Sequence, residues 1–320
     1  MKKGLKFSFD VSALANYTDQ EEKKLVLRSF FTPKTFQSSR ALGADLETGI
    51  KSSKVIQKLA VSAVPQAGGS CSFNASGNQA FTQATITPGK VKYQDTLCPS
   101  DLEAKWTQKL LTLGQNYDEN SITIDGIIKD ALFELIGEHL EVADWQGDTG
   151  SVSAYLNRYN GLIKVMTDAG GLVDGNTAAI ESLTIANTIP ALFAMVDALP
   201  APLKGKPDLV LYIGTDTFDK AVTNMFNLNM FNYTQETGTY EMTLPTKGVK
   251  LVGVHGLDGT NRMFLMRASN ITWGTDMEGD FEEFEIWYSK DDRNIKYSVQ
   301  FARGVQVAYP GEIVEFTLAS

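Results

Sequence analysis

The 320 residues carry 29 Lys and Arg against 38 Asp and Glu, a net charge of −9 and an isoelectric point near 4.9. A duplex-binding surface neutralises phosphates with clustered basic side chains, and the densest basic runs, Lys2-Lys3 and Lys204-Gly205-Lys206, are too short for that. With 43% hydrophobic and 21% charged residues, the composition is that of a folded chain long enough for one large domain or two ordinary ones.

Two cysteines, Cys71 and Cys98, form no C-x-x-C pair and adjoin no histidine, so neither a zinc site nor a disulfide framework is expected. The start, MKKGLKFSFDVSALANYTDQ, is basic but lacks a long apolar core and does not read as a signal peptide. No run of 18 apolar residues predicts a membrane span.

Residues 1–54 are mixed and polar and read as an arm that must pack on something else, with a charged helical patch ending at Thr32-Pro33. Residues 55–97 read as a long β-hairpin. Val55, Ile56, Leu59 and Val61 lie on its first arm; Phe81, Ile86, Val91 and Tyr93 lie on the second, which bends at Pro88-Gly89. The Gly/Ser/Asn-rich tip between them includes Ser72-Phe73, Asn74 and Asn78. Such a hairpin is marginal alone and needs a surface to lie on.

Residues 98–146 hold two helices. The first is capped by Ser100 with Glu103 completing a capping box, and Gly114 ends it. The second covers 121–146, with Ile124, Ile128, Ala131, Leu135 and Val142 on one face, flanked by Ile127, Leu132, Ile136 and Leu140. Asp130, Glu134, Glu138 and Glu141 mark its wet side, where His139 also falls. "DWQGDTGS" follows at once.

Beyond it, "NGLIKVMTDAGG" predicts a short helix ended by glycines, and "TAAIESLTIANTIPALFAMVDALPAP" a helix stopped by prolines. "LVLYIGTDTF" predicts a buried strand, Leu209 to Ile213, turning into a helix. "VKLVGVHGL" and "NRMFLMRASNITWG" are strands. "FEEFEIWYSKDDRNIKYSVQFARGVQVAYP" alternates with period 2 and reads as a long hairpin, with Ile295, Tyr297, Val299 and Phe301 sharing a face of the return strand.

Asp148-Thr149-Gly150-Ser151 matches the tetrapeptide that carries the aspartic-protease carboxylate. That chemistry needs an apolar strand before the motif and a second carboxylate sharing its proton. Here an amphipathic helix precedes it, and the nearest second string, Asp216-Thr217-Phe218, lacks the glycine. The favoured reading is a helix-terminating loop, with Gly147 and Gly150 supplying turn conformations and Asp148 bonding local amides; a hydrolase using Asp148 is the remote alternative. "GDTGS" and "GLVDGNT" lack the Lys-Ser/Thr of a phosphate loop. Glu283 and Glu285 fall on one hairpin face, read as solvated opposite Lys296 rather than as a cation site. No catalytic residue, metal or cofactor is expected.

The order of these parts resembles the major capsid proteins of tailed bacteriophages, with the Hong Kong 97-type fold. The resemblance covers residues 50 to 315 and rests on "HLEVADWQGDTGSVSAYLNRYNGLIKVM", "PALFAMVDALPAPLKGKPDLVLYIGTDTFDKAV" and "SNITWGTDMEGDFEEFEIWYSKDDRNIKYSVQFARGVQVAYP". "GGSCSF…KVKYQDTLCPSDLEAKW" is also similar to capsid proteins of phages infecting Bacteroidetes. It implies an α+β fold with an N-terminal arm (1–54), an extended loop (55–97), a capped helix and spine helix (98–146), a mainly axial domain (147–265) and a peripheral-domain hairpin with closing strand (266–320).

It further implies a structural chain that assembles with itself into hexamers and pentamers of an icosahedral virion shell in the host bacterial cytoplasm. The shell would enclose double-stranded DNA without sequence-specific binding, and acidity fits, since a basic lining would hold the genome too tightly. Implied partners are a separate scaffolding protein, a portal and decoration proteins, with no membrane. Lys290, Asp291, Asp292 and Arg293 at one tip, and Ser72-Phe73, Asn74 and Asn78 at the other, become subunit-contact candidates. Gly147, Asp148 and Gly150 become the hinge between helix and body. A Lys–Asn cross-link through Lys90 or Lys92 is not expected. An encapsulin-type cellular compartment shell is the alternative of the same fold.

Overall fold

The computed structural model describes residues 33–63, 77–97, 124–228, 240–244, 247–276, 284–289, 291–292 and 294–319. The capped helix expected around Ser100, both cysteines and the arm before Pro33 lie outside them.

A six-stranded mixed sheet, order β5-β13-β9-β6-β8-β7, forms the middle of the body. Its strands are β5 (Val173–Asp174), β6 (Leu209–Gly214), β7 (Glu241–Thr243), β8 (Lys250–Val254), β9 (Met263–Arg267) and β13 (Val314–Phe316). The sequence of β6 is an uninterrupted apolar run because both faces of the sheet are covered. Alternate residues serve two cores: Leu209, Leu211 and Ile213 pack with the two helices on one face. Val210 and Tyr212 pack on the other with Trp145 and Trp273.

Of the helices described, α1 covers Lys34–Ala41, α2 Ile124–Gln146, α3 Leu162–Ala169, α4 Ile185–Ala198 and α5 Thr215–Asn227. Helices α4 and α5 cover the first face. Pro190 sits inside α4 and has no N–H for the Ala186 carbonyl. Asn224 Nδ2 of α5 donates to that carbonyl at 3.3 Å, so the gap left by the proline becomes a tie between the helices. Helix α3 ends at Gly170, whose φ of 64° explains the glycine.

A second sheet is organised by β12 (Asn294–Val307). Along one edge it pairs with β10 (Ile271–Thr275) and then β11 (Phe284–Ser289). Its other edge takes β4 (Gly89–Leu97), and β1 (Asp45–Glu47) adds in parallel to β10. The expected period-2 hairpin is therefore β11–β12, with Ser289 facing Asn294. In this register Lys296 faces Trp287 and Glu285 faces Ser298, so Lys296 stands on the face that carries Glu285, diagonal to it.

The expected long hairpin is β2 (Lys54–Ala63) with β3 (Gly77–Ile86), a two-stranded ribbon joined to no further strand among the described residues. Its second arm stops at Ile86. Pro88-Gly89 is not a bend within that arm; it is where the chain leaves the ribbon and enters the sheet of β12. Two glycines permit this. A Cβ on Gly89 would lie 1.9 Å from the Arg158 carbonyl oxygen, and one on Gly304 would lie 2.9 Å from Pro88 Cα. Ile86, fully buried, anchors the root of the ribbon against Gly274.

Candidate functional site: the junction at the end of the long helix

The last turns of α2 are enclosed from three sides. Ile136, Leu140 and Ala143 pack on Val91 of β4 and on Val299 and Phe301 of β12. Trp145, fully buried, lies against Tyr212 and Phe264 with ring centroids 5.4 and 5.5 Å away. The helix occupies Ile124–Gln146, close to the 121–146 expected. Its apolar faces differ from expectation near the end: Leu135 is 46% exposed, while Glu141, assigned to the wet side, is buried. His139, also expected on the solvated side, is half-buried between the rings of Tyr93 and Tyr155, at 6.4 and 5.6 Å.

Asp144 and Arg303 are both wholly buried and face each other in a two-point pair. Arg303 Nε donates to Asp144 Oδ1 at 2.7 Å and Nη2 to Oδ2 at 2.6 Å. The Tyr159 hydroxyl donates to the same Oδ1 at 2.8 Å, and the guanidinium lies 5.3 and 5.0 Å from the rings of Phe36 and Trp273. Charge, hydrogen bonds and aromatic faces thus offset the desolvation of both ions. Burial foremost, then Asp144, raises the Tyr159 phenol well above its ordinary range. For Arg303 burial acts downward, and the Asp144 carboxylate outweighs it and leaves the guanidinium more firmly protonated.

Helix α1 supplies the remaining wall. Glu141 accepts the Thr35 backbone N–H at 3.0 Å and the Thr35 hydroxyl, and Trp145 Nε1 donates to Thr35 Oγ1 at 2.7 Å. Trp273 Nε1 donates to Ser39 Oγ at 2.9 Å. Burial pushes the Glu141 carboxyl up to about 7, against the Thr35 bonds, which act downward.

The turn after α2 is built by close packing. A Cβ on Gly147 would stand 2.5 Å from the carbonyl oxygens of both Ala143 and Tyr159, and one on Gly161 would stand 2.6 Å from that of Ala143. The Gly161 N–H donates to the Gly147 carbonyl at 2.8 Å. Neither Gly147 nor Gly150 has positive φ, so the expectation that they supply special turn conformations is replaced by a steric reason at Gly147 alone. At Gly150 a Cβ would meet only Asp148, its Oδ1 at 3.4 Å.

Asp148 bonds locally. Its Oδ1 accepts the Gly150 N–H at 2.9 Å, its N–H donates to the Leu156 carbonyl at 2.9 Å, and its carbonyl accepts the Ser151 N–H at 2.9 Å. Thr149 N–H and Oγ1 both donate to Asn160 Oδ1 at 3.0 Å. The loop is therefore cross-tied to residues 156–161, with a helix in front of it where an aspartic protease needs a strand. The second string, Asp216-Thr217, lies in the first turn of α5.

Of the subunit-contact candidates, Lys290, Arg293, Ser72-Phe73 and Asn74 lie outside the described residues. Asp291 and Asp292 are exposed, and Asp292 pairs with Lys296. Asn78 lies in β3 opposite Ser62, on a different sheet from the β11–β12 tip. Lys90 and Lys92 are exposed on β4. Among the described residues no group of three or more His, Cys, Asp or Glu could hold a metal.

Sequence reasoning missed Arg303 and α1. Arg303 had a signal: Val299, Phe301, Arg303, Val305 and Val307 share one face of β12, so an arginine stands in an inward row that demands a buried carboxylate.

No family model and no curated protein matches the sequence. Solved structures do match the fold. A chain of the satellite phage P4 procapsid, determined with its size determination protein, aligns over 92% of this chain and 98% of its own, with a TM-score of 0.56 and 9% identity. The capsid of an empty GTA particle aligns over 88% and 90%, with TM-score 0.58 and 11% identity. The capsid of Myoviridae phage XM1 aligns over 87% and 90%, with TM-score 0.55 and 14% identity. The chain has the Hong Kong 97-type capsid fold.

Within this capsid fold each match spans nearly the whole of both chains. The matches give no support to a Bacteroidetes host.

Proposed function

We propose that this chain is the major capsid protein of a tailed phage, a structural protein that assembles with itself into hexameric and pentameric capsomers of an icosahedral shell around double-stranded DNA. The observation that carries this reading is the near-complete fold match to phage capsid chains, at 9–14% identity and TM-scores of 0.55 to 0.56. The β2–β3 ribbon supports it. The ribbon pairs with itself alone among the described residues, and Val55 near its root is 48% exposed, as an element would be that completes its burial on a neighbouring copy.

On this reading the arm is residues 1–54, the extended loop 55–97, the capped and spine helices 98–146, the mainly axial domain 147–265 and the peripheral hairpin with closing strand 266–320. The mixed-charge tip Lys290-Asp291-Asp292-Arg293 and the ribbon-end residues Ser72-Phe73, Asn74 and Asn78 meet neighbouring subunits, where paired charges set register more than affinity. Gly147, Asp148 and Gly150 join spine to body. A scaffolding protein, a portal and decoration proteins are its partners, assembly takes place in the host bacterial cytoplasm, and the chain performs no catalysis.

A second reading, the shell of an encapsulin-type cellular compartment, has one observation behind it. The virus-like particle from Pyrococcus furiosus aligns over 94% of this chain and 99% of its own, with TM-score 0.52 and 11% identity. Expression of the chain followed by negative-stain imaging tests both: closed particles are expected. Subunits that stay monomeric even with a scaffolding protein present contradict both readings. Cargo enzyme found inside particles purified from the native host favours the second.

A further inference from the structure

Helix α1 starts at Lys34 after Pro33, has no acidic residue in its first turn and receives no cap from its own N-cap side chain. The first N–H groups of a helix have no acceptor within it, and for Thr35 that acceptor comes from elsewhere in the chain. Glu141, 106 positions along the chain on α2, provides it: one carboxyl oxygen takes the Thr35 N–H at 3.0 Å and the other bonds the Thr35 hydroxyl. Trp145, one turn further along α2, donates to that same hydroxyl. Three polar groups thus fasten α1 to α2 at one point, in a space closed to water, with Glu141 5% and Trp145 0% exposed.

Among the described residues no cation makes an ion-pair contact with the buried Glu141 carboxyl, and Lys34 acts on it only through space. On α2, Asp144 is one turn away; on β12, Arg303 neutralises Asp144 through both oxygens. On α1, Lys34 Nζ lies 5.5 Å from the Tyr240 ring centroid, and burial foremost lowers its proton affinity. Glu241 of β7 and Lys250 of β8 pair with each other at 2.7 Å. On the turn 255–257, Gly256 packs on the Glu141 backbone while His255 points outward to Asp258 at 2.9 Å. An ionised Glu141 would place a second carboxylate beside a pair that is already neutral. A protonated Glu141 still accepts the Thr35 N–H through its carbonyl oxygen; the Thr35 hydroxyl bond, which favours the ionised form, is outweighed by the burial of the carboxyl.

We propose that Glu141 is a proton-operated latch between the arm helix α1 and the long helix α2, closed when the carboxyl carries its proton and loosened when it is lost. Opening then releases a proton to water. The latch weakens as pH rises from the ordinary glutamate range toward neutrality and levels off once both closed and open forms are ionised.

Hydrogen exchange of residues 33–41, followed by mass spectrometry from pH 5 to 8.5 and corrected for intrinsic rates, tests this on the full chain. Protection is expected to fall by up to about tenfold per pH unit to near neutrality and then level off. Glu141→Gln is expected to remove that slope, and His255→Gln to leave it intact. A slope that survives Glu141→Gln, or vanishes in His255→Gln, overturns the proposal. Should Glu141→Gln fail to fold, infrared titration of the wild-type chain decides: a buried carboxylic-acid stretch must disappear near neutral pH. A carboxyl already ionised at pH 5 refutes the latch.

Discussion

The junction and the β2–β3 ribbon solve opposite problems. At the junction, Asp144, Arg303, Tyr159, Glu141 and Thr35 come from four separate stretches of chain, and each polar group finds its partner inside the subunit. The ribbon has 10 residues in each strand and pairs them in register from Lys54–Ile86 to Ala63–Gly77, yet it joins no further strand among the described residues. One region is finished within a single chain; the other, on the function proposed above, is finished by assembly. A mutation at the junction should therefore register as lost subunit stability, and one in the ribbon as lost shells.

The largest effect on stability is expected at the buried ion pair. Asp144→Ala or Arg303→Ala strands one buried charge and should cost about 3–5 kcal/mol in urea unfolding of the unassembled subunit. The double variant should cost far less than the sum. Additive losses would mean the two residues act separately.

Glu141 comes next. Its folded-state carboxyl lies near 7 against 4.5 for an ordinary glutamate, so its contribution is fully present below 4.5 and is lost as pH rises through 7. At about 1.4 kcal/mol per unit the swing is a few kcal/mol at most. Urea midpoints across that window should fall for the wild type and flatten in Glu141→Gln.

Gly147→Ala forces a Cβ against two carbonyl oxygens and should cost about 1–3 kcal/mol. Gly150→Ala, whose Cβ would make only an ordinary contact with Asp148, should stay within about 0.5 kcal/mol, and calorimetry of the pair separates packing from a generic demand for glycine in the turn.

Most of the fold was legible where a segment is stabilised by its own pattern. The apolar run of β6, the prolines beyond α4 and the period-2 alternation of β11–β12 each stand in one short window. What was hidden is held by distant partners. Helix α1 has few periodic apolar residues and no cap of its own; its acceptor is a glutamate 106 residues away. Glu141 reads as wet because acids on a helix usually face solvent, and the arginine that keeps Asp144 buried lies 159 residues from it. The turn at Pro88-Gly89 was visible, but its use as a change of strand partner depends on Gly304 and Arg158, which no local pattern reveals.

The central claim, that the ribbon is completed by neighbouring copies while the junction is complete alone, meets its most direct test in one excision. Residues 56–84 are replaced by a short turn between Val55 and Thr85, which already face each other in the ribbon. Sedimentation velocity of the two purified chains then reads out assembly. The full chain should sediment as capsomers and shells, and the excised chain as a folded subunit with unchanged urea midpoint. Shells formed equally well by the excised chain, or a subunit that unfolds without its ribbon, would contradict the account.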